Sequence, residues 1–133
     1  MTNTKSLERN VLLSTLWIFA ILNYIYADVF NLFFNPAVHT GMPAMTAGAA
    51  LFFAISMETS IAMVILSRVL KHKANRWANI AVGIFNTGLV AFSLFAQRPE
   101  PFYVFFAAVE IACTLLIVWL AIRWKPAVVS AVK

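Results

Sequence analysis

Two glutamates stand in stretches whose other residues belong in hydrocarbon: Glu58 in SMETSIAMVIL and Glu110 in FYVFFAAVEIACTLL. Each lies near the middle of its apolar run, and so do Asn23 in the first such run and Asn86 in the third. A charged side chain at the centre of a bilayer costs about 2.5–3.5 kcal/mol on insertion scales. No Lys or Arg lies within the central turns of any run to offset it. Three solutions remain: the carboxyls are protonated, they share a proton as a coupled pair, or a bound cation balances them. Four strong hydrogen-bonding groups at one depth predict one internal ligand-binding site made of Glu58, Glu110, Asn23 and Asn86. Asp28 and Tyr24, toward the end of the first run, are expected to line a vestibule leading to it. A solvated Asp within an interfacial aromatic belt is the equal alternative for that pair.

The elements that must position these groups are four apolar spans, at about residues 11–34, 46–70, 76–96 and 101–122. Each has roughly the 20 residues that a helix needs to cross about 30 Å of hydrocarbon. The composition agrees: 62% of the 133 residues are hydrophobic and 11% charged, where a soluble domain has about a quarter charged. Mean hydropathy is +0.85. The breaks are short, with Asn35-Pro36, Gly41 and Pro43 after the first span, KHKANR after the second, and Pro99 and Pro101 before the fourth. Short breaks force neighbouring spans to run in opposite directions. The predicted fold is all-α, a transmembrane antiparallel four-helix bundle forming a single four-span membrane domain over residues 1–133. The first apolar run is too long for the 7–15-residue core of a cleaved signal, so it is expected to remain as a span.

The net charge of +5 sits at the span ends, which speaks for a lipid bilayer as partner and not for nucleic acid. Nine of the ten Lys and Arg residues fall on one side, with only Arg98 on the other. Both termini and the middle loop are then cytoplasmic, as in a multi-pass protein of a bacterial inner (cytoplasmic) membrane. Trp77 and Trp124 are expected to anchor that inner boundary. At spacings of three and four, Asn79, Gly83, Asn86, Val90, Ser93 and Gln97 form a small-and-polar stripe on the third span. Ala20, Asn23, Ala27 and Asn31 form one on the first, and Ala47, Leu51, Ala54, Ala62 and Ile65 share the face of Glu58 on the second; all are predicted to face inward.

No cofactor, metal centre or catalytic residue is expected. The chain lacks GxSxG, HExxH, a Gly-rich phosphate loop and a Cys pair. His39, Met42 and Met45 match no soft-metal spacing. His72 reads as solvated and Cys113 as a buried structural thiol, and Arg68 is placed to snorkel to the boundary.

The segments LNYIYADVFNLF, SMETSIAMVILSRVLKHKANRWANI and FYVFFAAVEIACTLLIVWLA resemble a family of small bacterial four-span membrane proteins of unknown function. That resemblance covers nearly the whole chain and implies four helices in an inner membrane, with no activity to carry over. A looser likeness to DoxX-like four-span proteins rests on size and topology. The residues themselves favour a protein that binds or transports a cation or small polar solute with proton coupling, acting as a homodimer because four helices rarely enclose a full path. The alternatives are an accessory subunit whose polar layer only sets helix packing, and a membrane enzyme acting on a lipid-like or quinone-like substrate through acid–base chemistry.

Overall fold

The computed structural model describes residues 2–36, 40–41, 46–96 and 100–125, with side chains from Glu8 onward. Four α-helices follow in order, α1 over Thr2–Phe34, α2 over Ala47–Val69, α3 over His72–Ala96 and α4 over Pro101–Ile122. All four are long and apolar enough to cross a membrane, and they make the chain a multi-pass membrane protein built as a four-helix bundle. α1 packs on α2 and α4, α4 packs also on α3, and of these neighbouring pairs round the bundle α2 and α3 meet least.

Two boundaries differ from the sequence expectation. α1 starts well before Val11, because no Gly or Pro between Thr2 and Asn10 interrupts a helix. The stretch KHKANR is not a loop: only Leu70 and Lys71 separate α2 from α3, which begins at His72. Asn75 secures this tight turn. Its Nδ2 donates to Ser67 O at 2.6 Å and Leu70 O at 3.5 Å, satisfying carbonyls that the last turn of α2 leaves open. At the other end of α2, Thr46 Oγ1 accepts from Ala49 N at 3.2 Å as an N-cap.

The buried stripe of α3 is Asn75, Asn79, Gly83, Asn86 and Val90, the predicted face extended by Asn75. Asn79 Oδ1 accepts from Trp17 Nε1 at 2.8 Å and Ser67 Oγ at 3.3 Å, while Asn79 Nδ2 donates to Asn75 O at 2.8 Å and Asn75 Oδ1 at 2.6 Å. Leu13, Trp17 and Ala20 of α1 then pack with Met63 of α2, and with Cys113 and Ile117 of α4. Cys113 is buried as expected, its Sγ donating to Leu16 O at 3.3 Å. Large apolar side chains cover the outside, with Phe92 and Phe95 of α3 among the most exposed.

The basic end of the bundle is sealed. Arg9 Nη1 donates to Leu120 O at 3.5 Å, Arg76 Nη2 to Ile122 O at 3.2 Å, and Arg68 Nε to Ser14 Oγ at 3.1 Å. Trp124 is buried here instead of anchoring at the lipid boundary, and it meets the His72 ring edge-on with centroids 4.5 Å apart. His72 is therefore half-buried packing and not a solvated loop residue. Trp77 does project outward, as expected.

A Cβ at Gly83 would stand 2.5 Å from Val118 Cγ2 and 3.5 Å from Thr114 O, whereas a Cβ at Gly88 meets nothing within 4 Å. Gly83→Ala should therefore destabilise the detergent-purified protein by about 1–3 kcal/mol through overpacking of α3 against α4. Gly88→Ala should be neutral or gain up to about 1 kcal/mol, read as the shift in thermal midpoint. Asn79→Leu strands the Trp17 indole N–H and the Asn75 amide, and should cost about 1–3 kcal/mol. Adding Trp17→Phe to Asn79→Leu should recover part of that loss, measured as a double-mutant cycle.

Candidate functional site

On the side of the Asn86 layer away from the basic end, the four helices part around a half-enclosed cavity of about 330 Å³. Every helix contributes to it, because each presents a small or polar residue inward at that level. Ala27 and Ala107 leave the space that larger side chains would fill, and Phe53, Met57, Leu89 and Val90 supply apolar wall. Tyr24, Asp28 and Asn31 enter from α1, Ser56 from α2, Asn86 and Ser93 from α3, and Tyr103 and Glu110 from α4. Among the described residues no Lys, Arg or His lines it.

Glu110 is the chemical focus of this cavity. Only 3% of its surface is exposed, and its Oε1 is buried with no hydrogen-bond partner among the described residues. Its surroundings hold the backbone of α4 and leave the carboxyl free: Thr114 Oγ1 donates to Glu110 O at 3.0 Å and pairs with Thr87 Oγ1 across to α3 at 2.7 Å. Asp28 lines the same cavity from α1 but is exposed, unlike Glu110, which makes it the carboxylate of the mouth. Tyr103 faces it from the start of α4, its hydroxyl 3.2 Å from Ser93 Oγ. Phe30 packs against Phe102 and Phe106 on the α1–α4 side, with centroids 6.0 and 5.4 Å apart.

Asn86 forms the floor. Its Oδ1 accepts from Ser60 Oγ at 2.9 Å and Tyr24 OH at 3.2 Å, and its Nδ2 donates to Val82 O at 2.9 Å and Thr59 Oγ1 at 3.5 Å. The amide is thus spent on protein partners. Its effect on the site is to orient Tyr24 and tie α1 and α2 to α3.

Four of the six residues expected to bind a ligand are brought together: Glu110, Asn86, Asp28 and Tyr24. Glu58 and Asn23 are not. Glu58 is exposed and points away from the bundle interior. The buried stripe of α2 is instead Ser56, Ser60, Met63 and Ser67. Glu58 lies two residues from Ser56 and from Ser60, which is about 200° around the helix. Asn23 is half-buried and its Nδ2 returns to Phe19 O of its own helix at 2.9 Å. The inward line of α1 runs through Ala20, Tyr24, Ala27 and Asn31.

Residues that sequence reasoning passed over are Ser14, Trp17, Ser60, Ser67 and Asn75, all fully buried in the polar layers. The serines of α2 carried a signal, recurring at one-helix-face spacing at positions 56, 60 and 67. Among the described residues no three His, Cys, Asp or Glu gather as a metal-binding set. His39, Met42, Met45, Gln97, Arg98 and Lys133 lie outside the described residues.

A family of unknown function (DUF6326) has a model that matches residues 4–131, and the chain belongs to that family. No curated protein and no solved structure gives a significant match.

Proposed function

We propose that this member of a family without an assigned activity binds a small organic cation in the cavity, and moves it across the membrane in exchange with protons. Glu110 is the counter-ion, Asp28 the receiving carboxylate at the mouth, and Tyr24 and Tyr103 supply hydroxyls and ring faces. The observation that carries this reading is Glu110 itself, a buried carboxyl with an oxygen that has no partner, in a cavity with no basic side chain, among the described residues. The wall chemistry favours an ammonium with an apolar body over a bare metal ion. Metals want more ligand atoms than these carboxylates offer, and about 300 Å³ is the lower end of small-molecule pockets. Proton and cation compete for one carboxyl, so binding of one releases the other.

Orientation follows from the basic residues. Arg9, Arg68, Lys71, Lys73, Arg76, Arg123 and Lys125 mark the sealed end, and we place that end, with both termini, on the cytoplasmic side of a bacterial inner membrane in an antiparallel up-down-up-down bundle. The cavity mouth then faces the opposite compartment. A purely structural role is favoured for Asn79 and Asn86, whose amides are engaged within the protein, but it leaves Glu110 unexplained.

The test is thermal stabilisation of the purified protein by a panel of primary and quaternary ammonium compounds alongside Na⁺, K⁺, Mg²⁺ and Mn²⁺. An ammonium compound should stabilise the wild type, and more weakly as the pH falls. Glu110→Gln should lower its affinity at least about 30-fold, the loss expected from truncating one side of a buried charge pair. Glu58→Gln should leave that affinity unchanged. Stabilisation that survives Glu110→Gln, or none from any compound, overturns the reading.

A further inference from the structure

Glu58 stands at the centre of α2, beside Met57 at the level of the cavity, yet its side chain turns to the outside of the bundle. It makes no hydrogen bond or ion pair among the described residues, and a carboxyl against lipid is unfavourable in either protonation state because both forms have lost water. From mid-span its short stem does not reach an interface. The same face carries Ala50 and Ala54 before Glu58 and Ala62 after it, at successive intervals of four residues. Flanking them are Leu51, Ile55 and Ile65, all exposed. Of the four spans, α2 is the least covered by the rest of the chain.

We propose that this face of α2 is the contact between two copies of the chain, related by a two-fold axis that brings Glu58 against Glu58 of the second copy. Chemistry selects the occupant. A symmetric contact sets each side chain near the axis against itself, so the group there must be its own complement. A neutral carboxyl is: each donates its O–H to the carbonyl oxygen of the other, and no proton or charge is left unbalanced. The alanine ladder lets the two α2 backbones approach closely enough for that pair to form, as membrane helix contacts require. An unrelated partner would have to bring a matching polar group of its own to the bilayer centre, whereas a second copy brings one at the right depth by symmetry, and this chain has no basic side chain there to pair with an ionised Glu58. The inference is independent of the cation site, since it uses the opposite side of α2.

The full-length protein reconstituted in lipid vesicles tests it by two readouts. Oxidative cross-linking should trap dimers of Ala54→Cys and Ala62→Cys. It should trap none of Phe92→Cys or Phe95→Cys on the exposed face of α3. In resonance energy transfer with dilution into lipid, Glu58→Leu should weaken self-association about tenfold. Glu58→Gln, whose amide also donates and accepts, should stay within about threefold of wild type. Cross-links at positions 92 and 95 in place of 54 and 62 would overturn the proposal. So would unweakened dimers of Glu58→Leu, or a wild type that stays monomeric at every protein-to-lipid ratio; that last result directs the search to a different protein with a polar or basic residue in its span.

Discussion

Asn79 gathers three helices at one side chain. Its oxygen takes hydrogen bonds from Trp17 on α1 and Ser67 on α2, and its nitrogen gives two along α3 to Asn75. In hydrocarbon there is no water to accept a failed hydrogen bond, so polar groups within a span must find partners inside the protein. That constraint fixes the rotation of α1, α2 and α3 about their own axes more firmly than apolar packing would, because aliphatic side chains are as content against lipid as against each other. Seven residues on, about two turns, Asn86 repeats the arrangement with Tyr24 and Ser60.

A third layer would fall another seven residues along, at Ser93, and there the pattern fails. Serine is too short to span the bundle; its hydroxyl bonds to Val90 O of its own helix and to Tyr103 of α4. With Ala27 and Ala107 at nearby positions, no described side chain fills the centre, and the cavity opens where the asparagine ladder stops. The site is thus a consequence of the same stripe that closes the other end. Glu110 faces the gap from α4, the one helix that neither asparagine side chain engages.

Much of this was legible in the sequence. Four spans and their approximate limits follow from hydropathy and turn chemistry, and the inward stripe of α3 follows from asparagines and glycine at three- and four-residue spacing. Depth along a span is a matter of counting, and Glu110, Asn86, Asp28 and Tyr24 do come together around one cavity. Azimuth was harder. On α2 apolar residues occur on every side, and a single glutamate looks like the obvious polar pole. The real pole is three serines, each able to return its hydroxyl to the helix or reach a neighbour. On α1 the error is a single position, Asn23 for Tyr24, because a residue and its successor differ by about 100°. Helix starts were missed for a different reason: the positive residues of Lys71–Arg76 read as a loop, though none of them breaks a helix.

The two glutamates near the middle of α2 and α4 end on opposite sides of a helix wall, Glu110 buried and Glu58 exposed. Glu110 is shielded by the bundle and its environment is complete except for whatever enters the cavity. Glu58 has no such enclosure within the chain. A protein can keep an unbalanced carboxyl in its interior by controlling what reaches it, but it has no control over lipid. In the proposed dimer the second copy completes that environment: the Glu58 carboxyl, turned outward from the middle of α2, meets its complement on another polypeptide surface at the same depth.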